Sequence, residues 1–138
     1  MAYEESLRSV SLDADSSLAT YTGVPSVPGS ANPNYGKQYR FVKVTGRHQV
    51  GQVTANTDLA VGVMQNKPQV TGQAATVAIR GISNVMAGAA ITPGQEISAD
   101  ANGRAIPKPG TGTPLVLGIA ITAASGADEL VSVLLRVN

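Results

Sequence analysis

The chain has 138 residues, a formal net charge of +1, 14% charged residues, 15 glycines and no cysteine. Its length predicts one domain with a sizeable core, and the lack of cysteine excludes disulfides, zinc–thiolate sites and thiol catalysis. No run approaches the roughly 20 apolar residues of a membrane span, and the first residues show no signal-peptide pattern. We therefore expect a soluble protein without a membrane partner.

Residues 1–36 differ in composition from the rest of the chain. They carry a net charge of −3 against +4 for residues 37–138, and Pro25, Pro28 and Pro33 lie among glycine and serine. Proline removes backbone donors and favours extended conformations, and the sparse apolar residues bury too little surface to order this segment unaided. We predict an extended N-terminal arm that orders against a partner; the alternative is a tail without a role. The candidate contact residues are Tyr3, Leu7, Val10, Leu12, Leu18, Tyr21, Val24 and Val27.

Residues 37–48 combine basic and aromatic side chains in a predicted strand. The basic candidates are Lys37, Arg40, Lys43 and Arg47. Positive charge beside the rings of Tyr39 and Phe41 is typical of single-stranded nucleic-acid binding. An ordinary strand with solvated charges and buried rings explains the same residues, and we prefer it. His48, the only histidine, has no serine or carboxylate at a motif spacing and is expected at the surface.

Two later segments repeat one another at an offset of 56 residues. Residues 59–81 and 115–137 share leucine, glycine, valine and arginine at equivalent positions, and each contains two apolar strands joined by a polar linker. β-Branched and aliphatic residues punctuated by glycine and proline favour short strands. We predict an all-β fold with at most one or two short helices, in which residues 37–138 form a barrel-like or sandwich-like body from two pseudo-repeats, about 37–81 and 94–138.

Glycines mark the turns between these strands. Residues 92–95 predict a type II turn with Gly94 at positive φ, and Asn102-Gly103 predicts a second turn in which Asn-Gly supplies positive φ. Gly62 lies inside an apolar strand, where we expect another backbone to approach closely. Residues 82–90 are expected to form a connection with no more than one helical turn.

The last predicted strand, residues 129–137, has apolar residues on both faces. Val133 and Leu135 share one face, whereas Leu130 and Leu134 share the other. This pattern predicts a strand that is buried between layers or lies at a subunit interface.

The sequence contains no recognisable catalytic or ligand-binding motif. The adjacent acidic pairs Glu4-Glu5 and Asp128-Glu129 have no histidine, lysine or further carboxylate at a motif spacing, and no phosphate-binding glycine loop or nucleophile motif occurs. We predict that the protein is not an enzyme and has no cofactor, catalytic or metal-binding residues.

The turns and strands of the second half together resemble tailed-phage head decoration proteins, also called capsid cement proteins. The resembling elements are residues 91–94, 100–104, 118–120 and 131–135. The resemblance extends over about residues 60–138, and no catalytic residues come with this family.

The resemblance implies a mostly β protein that assembles as a trimer, or binds around three-fold and quasi-three-fold positions, on the outside of an expanded capsid. There it would hold neighbouring major capsid subunits together, after synthesis in the cytoplasm of the host bacterium. An arm that orders on the shell would make the eight N-terminal residues named above capsid-contact candidates. The alternatives are a glycan- or receptor-binding module of the virion surface and, less favoured, a single-stranded nucleic-acid-binding domain.

Overall fold

The structure, a computed structural model, describes residues 7–19 and 37–136. Within these ranges it contains ten strands and no helix, which confirms the all-β prediction. The strands are β1 (Arg8–Ala14), β2 (Phe41–Gly46), β3 (Gln49–Gln52), β4 (Ala60–Met64), β5 (Ala74–Arg80), β6 (Ile82–Met86), β7 (Glu96–Ala99), β8 (Ala105–Pro107), β9 (Gly118–Ala120) and β10 (Leu130–Leu135).

The strands form two units of five strands with the same topology. Unit 1 is a closed barrel in the order β1-β3-β2-β4-β5, and unit 2 is a sheet in the order β6-β10-β9-β7-β8. The end strands of unit 2 also meet, because Ala87, directly after β6, forms a parallel bridge with Ala105 of β8. Both units therefore follow one cyclic order, in which β6 to β10 replace β1 to β5.

The pairing registers of the two units are equivalent as well. Each of the following pairs of unit 1 has an equivalent pair in unit 2, given after it in parentheses: Leu12↔Ala75 (Val85↔Val131), Val42↔Gln52 (Ile97↔Pro107), Val42↔Gly62 (Ile97↔Gly118), Met64↔Val77 (Ala120↔Val133) and Ala14↔Val50 (Ala87↔Ala105). The predicted internal repeat is thus present in the strand pairing, and it includes β1 and β6, which the sequence analysis left out.

Backbone conformation follows the same equivalence. Three described residues other than glycine have positive φ, and each corresponds to a glycine of the other unit. The pairs are Tyr39 (φ 61°) with Gly94 (87°), His48 (55°) with Gly103 (71°), and Asp128 (66°) with Gly72 (89°). Because only glycine adopts this region without steric cost, the left-handed turns belong to the shared backbone plan rather than to the individual side chains.

Two cores lie on opposite sides of the unit 1 strands. The inner core draws on every strand of the barrel and consists of Ala14, Leu18, Val42, Val50, Met64, Ala75 and Val77. Phe41 precedes Val42 and therefore points outward. With Val63 and Ala78 it forms a row across β2, β4 and β5 that is fully buried in one cluster with the core of unit 2.

The structure corrects two predicted assignments of secondary structure. Residues 8–14 were assigned to an arm outside the β body, but they form β1 and close the barrel. The physical reason is a period of two, in which Val10, Leu12 and Ala14 alternate with polar residues. Residues 82–86, expected as a connection, form β6, and no helical turn is found at residues 87–89.

Gly62 confirms the predicted close approach of another backbone, and the equivalent Gly118 has a close approach of the same kind. A Cβ atom on Gly62 would lie 2.1 Å from the carbonyl oxygen of Ala78, and one on Gly118 would lie 2.5 Å from that of Leu134. These positions are equivalent in the two units, so a side chain is excluded by the same strand neighbour in both.

We predict that Gly62→Ala destabilises the protein by about 2–3 kcal/mol, because the new methyl group must displace the β5 backbone. Gly110→Ala is the matched control, since no atom lies within 4 Å of its Cβ position. Urea unfolding of both variants measures the difference, and equal midpoints would contradict the prediction.

We also predict that His48→Gly stabilises the protein by up to about 1 kcal/mol, because glycine removes the steric cost of positive φ. Arg47→Gly, one residue earlier and without positive φ, should instead destabilise by about 0.5–1 kcal/mol. Thermal unfolding separates the two; a loss of stability in both variants would argue against strain at His48.

Candidate functional site

The fold divides the N-terminal contact candidates into different groups. Leu18 is fully buried in the inner core of unit 1, and Leu12 packs against that core. A fully buried side chain cannot contact a second protein in the folded chain, so Leu18 is withdrawn as a contact residue. Leu7 and Val10 are 38% and 40% exposed. Tyr3, Tyr21, Val24 and Val27 lie outside the described residues.

Apolar side chains surround one end of the unit 1 barrel, where β1 and β4 begin and β2 and β5 end. We call this surface the rim of unit 1; it consists of Leu7, Val10, Val44, Leu59, Val61 and Ile79. The strand ends that carry or adjoin them are neighbours in the barrel, across β2, β4, β5 and β1. Val44 and Leu59 are 58% and 76% exposed, so the rim is an apolar surface that nothing in the described chain covers.

A second apolar surface lies on the outside of unit 2. Ile119 pairs with Leu134, which pairs with Ile82, and this row across β9, β10 and β6 is half-buried. Ile121 and Leu130 flank it and are 46% and 39% exposed. We call these five residues the outer face of unit 2. An exposed or interfacial apolar face was predictable for Leu130 and Leu134, which belong to one strand. The rim of unit 1 was not predictable in this way, because its residues come from separate parts of the chain.

Two of the four basic candidates of the 37–48 segment, Lys43 and Arg40, bind partners within the chain. The Lys43 ammonium lies 2.7 Å from the Asp58 carboxylate, and the half-buried Arg40 donates a hydrogen bond of 2.9 Å to the Asn102 carbonyl. Burial, followed by the nearby charge of Arg40, lowers the pKa of Lys37. Arg47 is exposed in the turn after β2.

The aromatic side chains of the same segment are not arranged for base stacking. The ring of Phe41 is fully buried between the units, and Tyr39 is half-buried. Stacking on single-stranded nucleic acid requires exposed rings beside available cations. The described residues of this segment therefore fit the ordinary-strand interpretation.

Asp58 organises the turn before β4. Its Oδ2 atom accepts hydrogen bonds from the Lys43 ammonium at 2.7 Å, from the Thr54 backbone at 2.9 Å and from the Ala55 backbone at 3.1 Å. The bond from Lys43, and next that from the Thr54 backbone, lower the pKa of Asp58 from 3.8 to about 2. This ion pair has a structural role in the turn that carries Leu59 of the rim.

The described residues include neither a cluster of metal-ligand side chains nor a long apolar helix. Residues 7–19 and 37–136 include no group of three or more histidine, aspartate or glutamate side chains placed to bind a metal ion. In the same ranges, no helical segment has the length and apolarity needed to cross a bilayer.

Comparison with known proteins gives a family match over most of the chain. A family model described as phage cement protein matches residues 36–137, which include β2 to β10. Among solved structures, the chain is similar to the N base of the head fiber protein of bacteriophage phi29, with a TM-score of 0.62 and 21% identity over 94% of this chain and 93% of that chain. At this identity the similarity concerns the fold. No curated protein matches the chain by sequence.

We predict that the stability of the protein falls by about 1 kcal/mol between pH 5 and pH 2 through Asp58 alone. Its lowered pKa means that the stabilisation is present above the unfolded value of 3.8 and is lost as the pH falls through about 2. Urea unfolding of the wild type and of Asp58→Asn across this range isolates the contribution, since all other carboxyl groups titrate in both. Parallel pH profiles would contradict the prediction.

Proposed function

The chain belongs to the phage cement protein family, and from this premise we propose that it binds the outer surface of an expanded phage capsid and stabilises contacts between major capsid subunits. Family membership supports a capsid-associated structural role and a place on the virion capsid. The proposal adds that the chain acts as a homotrimer at three-fold and quasi-three-fold positions. The observation that carries it is the family match, which includes strands of both units.

The surface chemistry of the described residues agrees with a structural role. The cations of β2 and of the turn before β8 are paired within the chain, as Lys43 with Asp58 and Arg104 with Asp100. Apolar side chains are instead exposed at the rim of unit 1 and on the outer face of unit 2. Such surfaces favour protein–protein contact over binding of a charged small molecule, and no catalytic role is part of the proposal.

Weak individual contacts are sufficient to stabilise a shell when many copies of the protein bind it. A protein that binds only the assembled shell stabilises it by mass action. Several contacts made by one trimer raise the overall affinity without any single strong site. We propose that the capsid contacts come from the N-terminal candidates outside the described residues, namely Tyr3, Tyr21, Val24 and Val27.

A glycan- or receptor-binding module is not favoured by any described residue. Such a site uses an exposed aromatic platform, whereas Phe41 is fully buried and Tyr39 half-buried.

The proposal is tested by co-sedimentation of the full-length protein with expanded shells of its cognate phage. We expect saturable binding with three chains at each three-fold position. A variant carrying Tyr21→Ser, Val24→Ser and Val27→Ser should bind at least about tenfold more weakly, because its apolar contacts are lost. Val70→Ser, at a residue 47% exposed in the turn between β4 and β5, is the matched control and should bind like the wild type.

Each outcome of the sedimentation has a defined meaning. No binding of the wild type would contradict the proposed function. Binding that the triple variant leaves unchanged would keep the function and move the capsid contact onto the β units.

A further inference from the structure

Within the chain, unit 1 covers one end of unit 2. The outward row Phe41, Val63 and Ala78 lies in one buried cluster with Leu117 and Leu135 of unit 2. Three backbone hydrogen bonds of 2.8 Å join the units, from Phe41 to Gly103, from Leu115 to Asn56 and from Met86 to Tyr39. The covered end of unit 2 is the one that corresponds to the rim of unit 1.

The same end is therefore buried in one unit and exposed in the other. In unit 2 the positions equivalent to Val10, Val44, Val61 and Ile79 are Ser83, Ala99, Leu117 and Leu135, which are 3%, 1%, 4% and 6% exposed. In unit 1, Val10 and Val44 are 40% and 58% exposed. Leu59, 76% exposed, corresponds to Leu115, which packs against the shared core. This end is therefore covered by unit 1 in unit 2, whereas the equivalent end of unit 1 is exposed.

The surface through which unit 1 covers unit 2 has an equivalent on the outer face of unit 2. No described residue covers that equivalent surface. Val63, Gln65 and Ala78, through which unit 1 covers unit 2, correspond to Ile119, Ile121 and Leu134 on the outer face of unit 2. Val63 and Ala78 are fully buried, and Gln65 donates a hydrogen bond of 2.9 Å to Ser83 of unit 2. Their three counterparts are half-buried or exposed. One chain thus contains one complete interface of this kind and the two separate halves of another.

The geometry points to a second copy of the chain as the partner of both surfaces: the outer face of unit 2 in one copy covers the rim of unit 1 in the next. This contact would extend between chains the arrangement that already exists between the two units of each chain. The inference deepens the proposed trimer, on which it rests, by naming its interface.

Charged residues flank the apolar side chains of both surfaces. Arg8 and Arg80 pair directly across β1 and β5 at the rim, and neither forms an ion pair with a carboxylate of the described residues. Like charges in opposite positions destabilise a sheet. Beside the outer face of unit 2, the position of Phe41 is taken by Glu96, whose exposed partner Lys108 is 3.3 Å away.

An interface between two different surfaces has a geometric consequence. It generates a ring if the rotation closes and a filament if it does not. Three chains in a closed ring would place six units around one axis, each covering the end of the next. In such a ring no rim of unit 1 remains exposed.

The test measures association of the full-length chain without shells, by analytical ultracentrifugation at concentrations up to about 1 mM, where even a millimolar Kd gives a measurable complex. Leu59→Glu alters the rim and Ile121→Glu alters the outer face, both at exposed positions that leave the cores intact. Each variant should raise the dissociation constant at least about tenfold. Val70→Glu, at the end of unit 1 opposite the rim, is the control and should associate like the wild type. Thermal unfolding verifies that all three fold.

Mixing the two interface variants distinguishes this arrangement from others. The rim variant keeps an intact outer face and the outer-face variant keeps an intact rim, so the mixture should form a 1:1 pair and grow no further. A monomeric wild type, unchanged association in either variant, or a mixture without the pair would each overturn the inference. Wild-type trimers untouched by both variants would do so while leaving the proposed function in place, which shell sedimentation tests separately.

Discussion

Burial of the outward row of unit 1 against unit 2 is the interaction on which the rest of the structure depends. Phe41, the only phenylalanine, belongs to this row, and burial of such a ring contributes about 1.5–3 kcal/mol. The row shares one cluster with the interior residues of unit 2, so the second core is complete only when the first unit lies on it. A five-stranded unit of this size buries little surface by itself. The two units therefore form one body rather than two independent modules.

The internal repeat allows the two units to be compared position by position. Topology, registers and left-handed turn positions are common to both. The units differ in which equivalent side chains are buried: exposed Glu96 stands where unit 1 has buried Phe41, and exposed Val44 stands where unit 2 has buried Ala99. In this member of a capsid-associated family, the surfaces available to partners are therefore the rim of unit 1 and the outer face of unit 2. The interface between the two units is already formed within the chain.

Much of the fold was predictable from local patterns, because glycine and strand alternation act over a few residues. The β4–β5 and β9–β10 hairpins, the close approach at Gly62 and the positive φ of Gly94 and Gly103 follow from such patterns. β1 was missed although Val10 and Leu12 alternate correctly, since the proline-rich segment after it dominated the composition. β6 was missed because it is short and begins directly after Gly81.

The candidate surfaces were harder to predict because they depend on contacts between distant residues. The pairing of Lys43 with Asp58 and the burial of Phe41 are decided by strand order, which spacing along the chain does not specify. The rim of unit 1 becomes recognisable only when its residues are compared with their covered equivalents in unit 2. The apolar outer side of β10, by contrast, was visible in the sequence because Leu130 and Leu134 belong to one strand.

The central claim is that copies of this chain cover one another on a phage capsid as the two units do within each chain. Cryo-electron microscopy of expanded shells decorated with the full-length protein tests it most directly. The account predicts three chains around each three-fold position, with six five-stranded units in a ring and the outer face of unit 2 on the neighbouring rim. A reconstruction in which Leu59 and Val44 face solvent or the capsid protein would contradict it.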